Sequence, residues 1–474
     1  MTSSLTRRQF LYQSTAALPL LTGTGLWAGQ ASDVRSGPAT TGLQLFLDEA
    51  FIAEKRDIRR VIESPVRHPS PVVTAADKSC QPYVSVLRDP VTGRFRLWYN
   101  TAIDTEHSHI GYMESQDGVN FERPGRELPD PSGLPVRYGA YVLDHGPAAP
   151  DPSRRYMLAW ENQGLFTAHS ADGLAWTATS REPVLIDIGD IIALSRDPIR
   201  NRYLLTCKLH STPEDGFKGR AGSSAEGERR LVGQSYSADG IRWSAPQRIV
   251  VPDHRDEGVT EFYSVGNVIA RGGLLIGLLK VLRDDQASEP GGAPTGIGYT
   301  CLAWTRDGIT WQRDREPFMD RNPNPGTWDR AMTWGDCLLP VDDEVFVYYG
   351  GYALGHKIER FKGRQIGVAR MKRDRFVAQQ AGSVDGTLVT APFTVAASQL
   401  TLNAAVSGHL IVEVVDSSGK ALKGFSRRDC EPVTGDSLAH AVRWKSPLAR
   451  LRGKKIQLRF SMRDARLYAL DLAV

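Results

Sequence analysis

Ser237-Ala-Asp-Gly-Ile-Arg-Trp243 decides the fold, because the chain repeats it. Ser115-Gln-Asp-Gly-Val-Asn-Phe121, Ser170-Ala-Asp-Gly-Leu-Ala-Trp176 and Thr305-Arg-Asp-Gly-Ile-Thr-Trp311 share its pattern, Ser/Thr-x-Asp-Gly-x-x-aromatic. An Asp side chain accepts backbone N–H groups just ahead of it, Gly supplies a positive φ, and the aromatic pins the turn to the body. Each copy is the tip of a hairpin. Copies about 55 to 70 residues apart point to a β-propeller with one hairpin tip per blade.

Working outward from the tips, each repeat opens on an inner strand and turns at a polar pair. It then runs through an aromatic-rich second strand, at 95–99, 156–160, 203–207, 274–279 and 345–349. Ile110-Gly, Val232-Gly, Ile297-Gly and Ile366-Gly recur just before the hairpins, and Lys372-Arg-Asp-Arg-Phe376 is a degraded fifth tip. Alternating apolar residues rich in β-branched and aromatic types make these strands, not helices. The expectation is an all-β chain with a five-bladed propeller over 43–380. Segment 43–62 is expected to add a strand that helps close the ring. The stretch from 386 to 474 carries regularly spaced strands without an Asp-Gly tip, and reads as a C-terminal β-sandwich.

The hairpin Asp residues serve turn geometry, not catalysis. Arg196-Asp197-Pro198 has the look of a catalytic motif, but it aligns with the strand turns at Asp89-Pro90 and Asp151-Pro152. It too reads as a turn.

At 474 residues and a formal charge of +4, the chain has ample length for a core and no argument for nucleic acid. Thr6-Arg7-Arg8-Gln9-Phe10-Leu11, with an apolar stretch behind it and small residues up to Ala31, reads as a twin-arginine export signal over 1–31. The mature protein is then expected in the periplasm or outside the cell, with no membrane segment. The five cysteines have no metal-ligand spacing and read as buried small hydrophobes.

A propeller gathers the starts of its inner strands around one axial pocket. Acidic residues recur there at Asp190, Glu261 and Asp329 in successive repeats. Converging carboxylates suit glycoside hydrolysis, with one protonated to donate to the leaving oxygen and one ionised. Glu261, beside Phe262 and Tyr263, is the expected acid, and Asp190 its partner. Asp48, Asp77 and Asp329 compete for a third role, with Asp48 first because it lies where the chain joins the ring. Expected substrate-binding groups are Arg137, Glu161, Lys208, Lys280, Trp328, Asp329, Trp334 and His356. Tyr348-Tyr-Gly-Gly-Tyr352 leads into His356, and Trp160 is a further candidate platform. The cations Arg137, Lys208, Lys280, Arg330 and Lys357 hint at an acidic sugar. The loop 220–230 is polar and Gly/Ser-rich, and is expected to overhang the pocket.

With five repeats, acidic strand starts and the Tyr-Tyr-Gly-Gly…His ending, the chain resembles the five-bladed propeller glycoside hydrolases related to families 43 and 32. More particularly, it is similar to the exported bacterial family 32-like proteins with a C-terminal sandwich. The resemblance implies action on glycosidic bonds of oligo- or polysaccharides, furanosides among them. It implies a carbohydrate as partner and no required cofactor, though such propellers sometimes hold a central Ca²⁺. The Asn-Asp-Pro-Asn and Glu-Cys motifs of fructan hydrolases are absent. Rival readings are a sialidase-like enzyme using Tyr263 with Glu261, a uronide lyase, and a non-catalytic glycan-binding protein.

Overall fold

Period-two runs become strands almost without exception. The computed structural model describes residues 41–74, 80–102, 108–220, 225–356, 358 and 363–474, with only the backbone at 80–82 and 102. The export signal at 1–31, Asp77, Lys357 and the loop tip 221–224 lie outside the described residues. Among those described, every element is a strand apart from a few single 3-10 turns. The fold is nearly all-β and propeller-like.

Three four-stranded antiparallel sheets follow one another. The first holds Cys80–Arg88, Phe95–Ala102, Ser108–Ser115 and Arg126–Leu128. The second holds Tyr138–Asp144, Tyr156–Glu161, Leu165–Ser170 and Thr177–Ala178. The third holds Ile192–Asp197, Arg202–His210, Arg230–Ser237 and Gln247–Val250. A fourth unit (Thr260–Val265, Leu274–Arg283, Ile297–Thr305, Gln312–Arg313) and a fifth (Met332–Val341, Glu344–Tyr352, Arg364–Lys372) are joined by a single parallel bridge, Gly298 to Met332.

The hairpin tips behave as their residues dictate. Asp117 Oδ1 accepts from the N–H groups of Val119 (2.9 Å) and Asn120 (2.8 Å), and Asp307 Oδ1 from those of Ile309 (2.8 Å) and Thr310 (2.7 Å). The four tip glycines have φ between 72° and 76°. Their carbonyls do a second job. Gly173 O accepts from Trp98 Nε1 of the unit before it, at 2.8 Å, and Gly308 O from Gln234 Nε2, at 3.2 Å. Gly118 O of the first unit accepts from Tyr348 OH of the fifth, at 2.8 Å. Each tip thus buttons onto the preceding unit, and the fifth unit meets the first.

Segment 43–62 does not close the ring. Its strands Gly42–Leu45, Ile52–Arg56 and Ile58–Ile62 pair with Lys455–Ala473, Gly386–Thr390 and Val377–Ala381. The fifth unit takes its outer strand from Val66–Arg67, against Arg364–Lys372. The polar-apolar alternation marks 43–62 as strand, but only partner geometry says which sheet it completes.

The C-terminal strands hydrogen-bond as one nine-stranded sheet that includes those N-terminal strands. It encloses its own core of Phe46, Leu388, Leu402, Val412, Leu458 and Phe460. Arg196-Asp197-Pro198 is a turn, as expected. Asp197 is fully buried, and its carboxylate takes Arg200 N and the guanidinium groups of Arg200 and Arg202. Cys207, Cys301, Cys337 and Cys430 are buried free thiols.

Candidate active site at the inner-strand starts

Regular pairing would turn side chains alternately to the two faces of each sheet. Four of the units break that rule on the inner strand or its pairing. Register shifts fall between Gln81 and Val84, Ala159 and Glu161, Phe262 and Val265, and Gly335 and Cys337. Such bulges re-aim side chains. The one in the fifth unit frees Asp336.

Asp336 forms the floor of the site. Its Oδ2 accepts from Val84 N of the first unit at 2.7 Å. Its Oδ1 accepts from Tyr141 OH of the second unit at 2.7 Å and pairs with Lys280 Nζ of the fourth at 2.5 Å. One carboxylate thus ties the fifth unit to three others. Lys280, expected to bind substrate, is instead 2% exposed beneath the ring of Tyr83, whose centre is 5.5 Å from Nζ. An ammonium at this position leaves a central Ca²⁺ with a like charge for a neighbour, so these residues do not fit that ion. Among the described residues no acidic, histidine and cysteine side chains group as a metal site.

Two carboxyls of the cluster have opposite proton affinities. Asp190 pairs with Lys208 Nζ, and its side chain is 40% exposed. Burial disfavours its charge, but the Lys208 ammonium, with Arg230 beyond it, outweighs this and holds the carboxyl below its ordinary value. Glu161 ends the second strand of the second unit and is 2% exposed. Burial pushes its pKa up to about 7, with Arg137 opposing and Asp190 adding to the rise. Its Oε2 has no hydrogen-bond partner among the described residues.

Glu261, the expected acid, lies in the same cluster but is fully buried. Arg230 Nη1 clamps both its oxygens, at 3.0 and 2.8 Å, and Arg230 N donates to Oε1 at 2.9 Å. Burial raises its pKa while Arg230 opposes. A carboxylate held on both oxygens by one guanidinium orders its neighbours. Arg230 in turn lies 5.3 Å from the Tyr263 ring centre. Tyr263 OH meets His356 Nε2 at 3.3 Å, which places His356 beside the cluster. Arg230 starts a strand and does not sit on an overhanging loop.

Other expectations fail on geometry. Asp48 is held by Arg306, at 2.9 and 2.8 Å. Arg306 follows the end of Ile297–Thr305, a nine-residue strand whose other end faces the pocket, so Asp48 is roughly 25 Å from the mouth. Asp329 is buried, accepts from Tyr349 OH at 3.1 Å and faces Arg67 of the closing strand. Arg330 pairs with Glu289. The tryptophans are packing groups. Trp160 stacks on Phe166, Trp328 stacks on Tyr349, and Trp334 leans on Tyr263 with Nε1 donating to Val281 O. Sequence reading missed Asp336, Tyr141 and Arg230. All three belong to strands, where only register tells a core polar group from a solvated one.

No family model and no curated protein matches the chain. Solved structures do resemble it. A glycosyl hydrolase from Bacteroides ovatus has a TM-score of 0.45 at 14% identity, covering 66% of this chain and 95% of its own. An N-acetylgalactosamine deacetylase from F. plautii, in complex with blood group B trisaccharide, has a TM-score of 0.43 at 16% identity, covering 67% and 96%. A structure from the GH130 family of mannoside phosphorylases has 0.42 at 14%, covering 68% and 97%.

Proposed function

We propose that this protein is a glycoside hydrolase, with Glu161 as general acid and Asp190 as the ionised partner. The observation that carries the reading is their coupling. Two carboxyls within electrostatic reach of each other have environments that push their proton affinities apart, Glu161 up to about 7 and Asp190 down. That is the division of labour glycosidic cleavage needs. Glu161 gives its proton to the leaving oxygen. Asp190, the more exposed of the two, meets the positive charge growing at the anomeric carbon. Lys208 keeps Asp190 ionised, and Glu261 positions Arg230.

In this reading the five four-stranded units, from Val66–Arg67 to Arg364–Lys372, are the blades of a propeller, and the flanking strands at 42–62 and Val377–Ala381 belong to the C-terminal sheet. The C-terminal sheet is a sandwich around its own core, and the twin-arginine segment exports the folded protein. Among the described residues no helix is long and apolar enough to cross a membrane.

The test is Glu161→Gln on purified protein, assayed against aryl furanosides, pyranosides and uronide polysaccharides. Parent protein releases the aglycone and yields saturated products, and the variant loses turnover with its thermal melt intact. Full turnover in the variant would remove Glu161 from the mechanism. Unsaturated uronate products would make the protein a lyase.

A further inference from the structure

The turn at Asp197 leaves its neighbour Arg196 without a carboxylate. The Arg196 guanidinium lies 4.6 Å from the centre of the Tyr203 ring and donates to the neutral side chain of Asn201. It lines a cavity of about 340 Å³ between the second and third units. Arg154, on the turn before Tyr156–Glu161, lines the same cavity. Among the described residues neither guanidinium forms an ion pair. The cavity is remote from the axial pocket. Arg196 lies near the far end of the strand that follows Asp190, and Arg154 precedes the strand that ends at Glu161, so about 20 Å of extended chain separates each from its carboxyl.

Asp151 and Asp239 also line the cavity. Asp239 is committed to its own tip, where Arg242 Nε reaches Oδ2 at 2.9 Å and two backbone N–H groups reach Oδ1. Asp151 Oδ1 accepts from Ser153 N at 3.0 Å and Ser153 Oγ at 2.6 Å. Two guanidinium groups against Asp151 leave an excess of positive charge. Guanidinium forks suit a multi-oxygen anion, and Tyr203 braces one of them. Tyr203 OH meets His145 Nε2 at 3.3 Å. His169 Nδ1 is buried with no hydrogen-bond partner among the described residues. Burial and then Arg154 hold His169 below its ordinary pKa against Asp151, so the ring is neutral and offers one N–H and one lone pair to a hydroxyl. Met157, Pro150 and Ile241 supply an apolar wall for a carbon body. The volume is at the small end of ligand sites, about 300 to 1,000 Å³, and suits one substituted ring.

We infer that this cavity is a second ligand site, for a single hydroxylated ring carrying a carboxylate or a sulfate ester, held by Arg154 and Arg196. It stands independently of the glycosidase reading. Calorimetry on the folded protein tests it with glucuronate, glucose 6-sulfate, glucose and inorganic sulfate. At least one sugar anion should bind at least tenfold more tightly than inorganic sulfate, and glucose should give no heat. Whichever anion leads identifies the substituent. Arg154→Met and Arg196→Met should each weaken that binding about tenfold, the size of one charge-assisted contact, with the thermal melt as the check on folding. Ile241→Glu puts a carboxylate on the wall at a side chain already 44% exposed, and should weaken binding at least tenfold with the melt unchanged. Glu161→Gln should bind like the parent. Binding lost in Glu161→Gln and kept in the three cavity variants would put the anion in the axial pocket and overturn the inference. So would equal binding of glucose, inorganic sulfate binding as tightly as either sugar anion (an adventitious ion only), or no binding of either sugar anion.

Discussion

Lys280 Nζ lies 2.5 Å from Asp336 Oδ1, and neither side chain is reached by solvent. The pair sits where four units converge, with Tyr141 OH and Val84 N on the same carboxylate. Removing one charge leaves the other buried and unpaired. Asp336→Asn should cost about 3–5 kcal/mol of stability. Lys280→Met combined with Asp336→Asn should recover part of that loss. Denaturant midpoints of the single and double variants decide the point, and a double variant worse than the sum of the singles would show that charge pairing is not what the site requires.

Glu161 must hold its proton to act. Its pKa of about 7 therefore sets the alkaline limb of the rate profile, and Asp190, held below the ordinary carboxylate range, sets the acid limb. Turnover should be highest in mildly acidic buffer and fall as pH rises through about 7. Asp190→Asn should abolish turnover at every pH. A profile still rising above pH 8 would reverse the assignment of acid and base.

The same carboxyl links stability to pH. Its folded-state pKa is raised from 4.5 to about 7, so the folded state binds the proton more tightly than the unfolded one. Its stabilising share is full below pH 4.5 and is lost as pH rises through 7, a change of about 3 kcal/mol. Chemical unfolding of the parent and Glu161→Gln at pH 4.5 and 8 should show the difference flattened in the variant.

Glu261→Gln removes half of a fully buried clamp on Arg230. The expected loss is stability first, about 3–5 kcal/mol, because Arg230 loses the buried carboxylate that clamps it. Folded variant should retain a measurable kcat, unlike Glu161→Gln. A variant that melts like the parent and is inactive would return Glu261 to the role of acid.

Asp172 tests the hairpin tips. It accepts from Leu174 N at 2.8 Å and Ala175 N at 3.1 Å, and these bonds hold its pKa down against burial. Asp172→Ala should lower stability by about 1–2 kcal/mol and leave kcat unchanged. A large fall in kcat with an unchanged melt would mean that the repeated Asp has a functional part.

Local chemistry determined the tips, the strands and their number. An Asp-Gly step needs nothing beyond its neighbours to turn, and alternation needs only a wet face and a dry one. Hence the repeats, the turn at Asp197 and the buried cysteines were legible in the chain alone. The positions where inner strands begin were legible too, because they follow from counting outward from the tips, and Asp190, Glu161, Lys208 and His356 do gather there.

What tertiary structure alone decided is which charges face the pocket and which face one another. Glu261 and Glu161 are the same residue type on strands of the fourth and second units, yet Arg230 encloses the first, while the second has an oxygen with no hydrogen-bond partner among the described residues. Asp336 reaches the axis through a bulge, and Asp48 is drawn away by Arg306. The strand at 42–45 pairs with a strand more than 400 residues on. Pairing register and the proximity of distant charges are properties of the folded whole, because proton affinity depends on burial and on neighbours that adjacency in the chain does not specify.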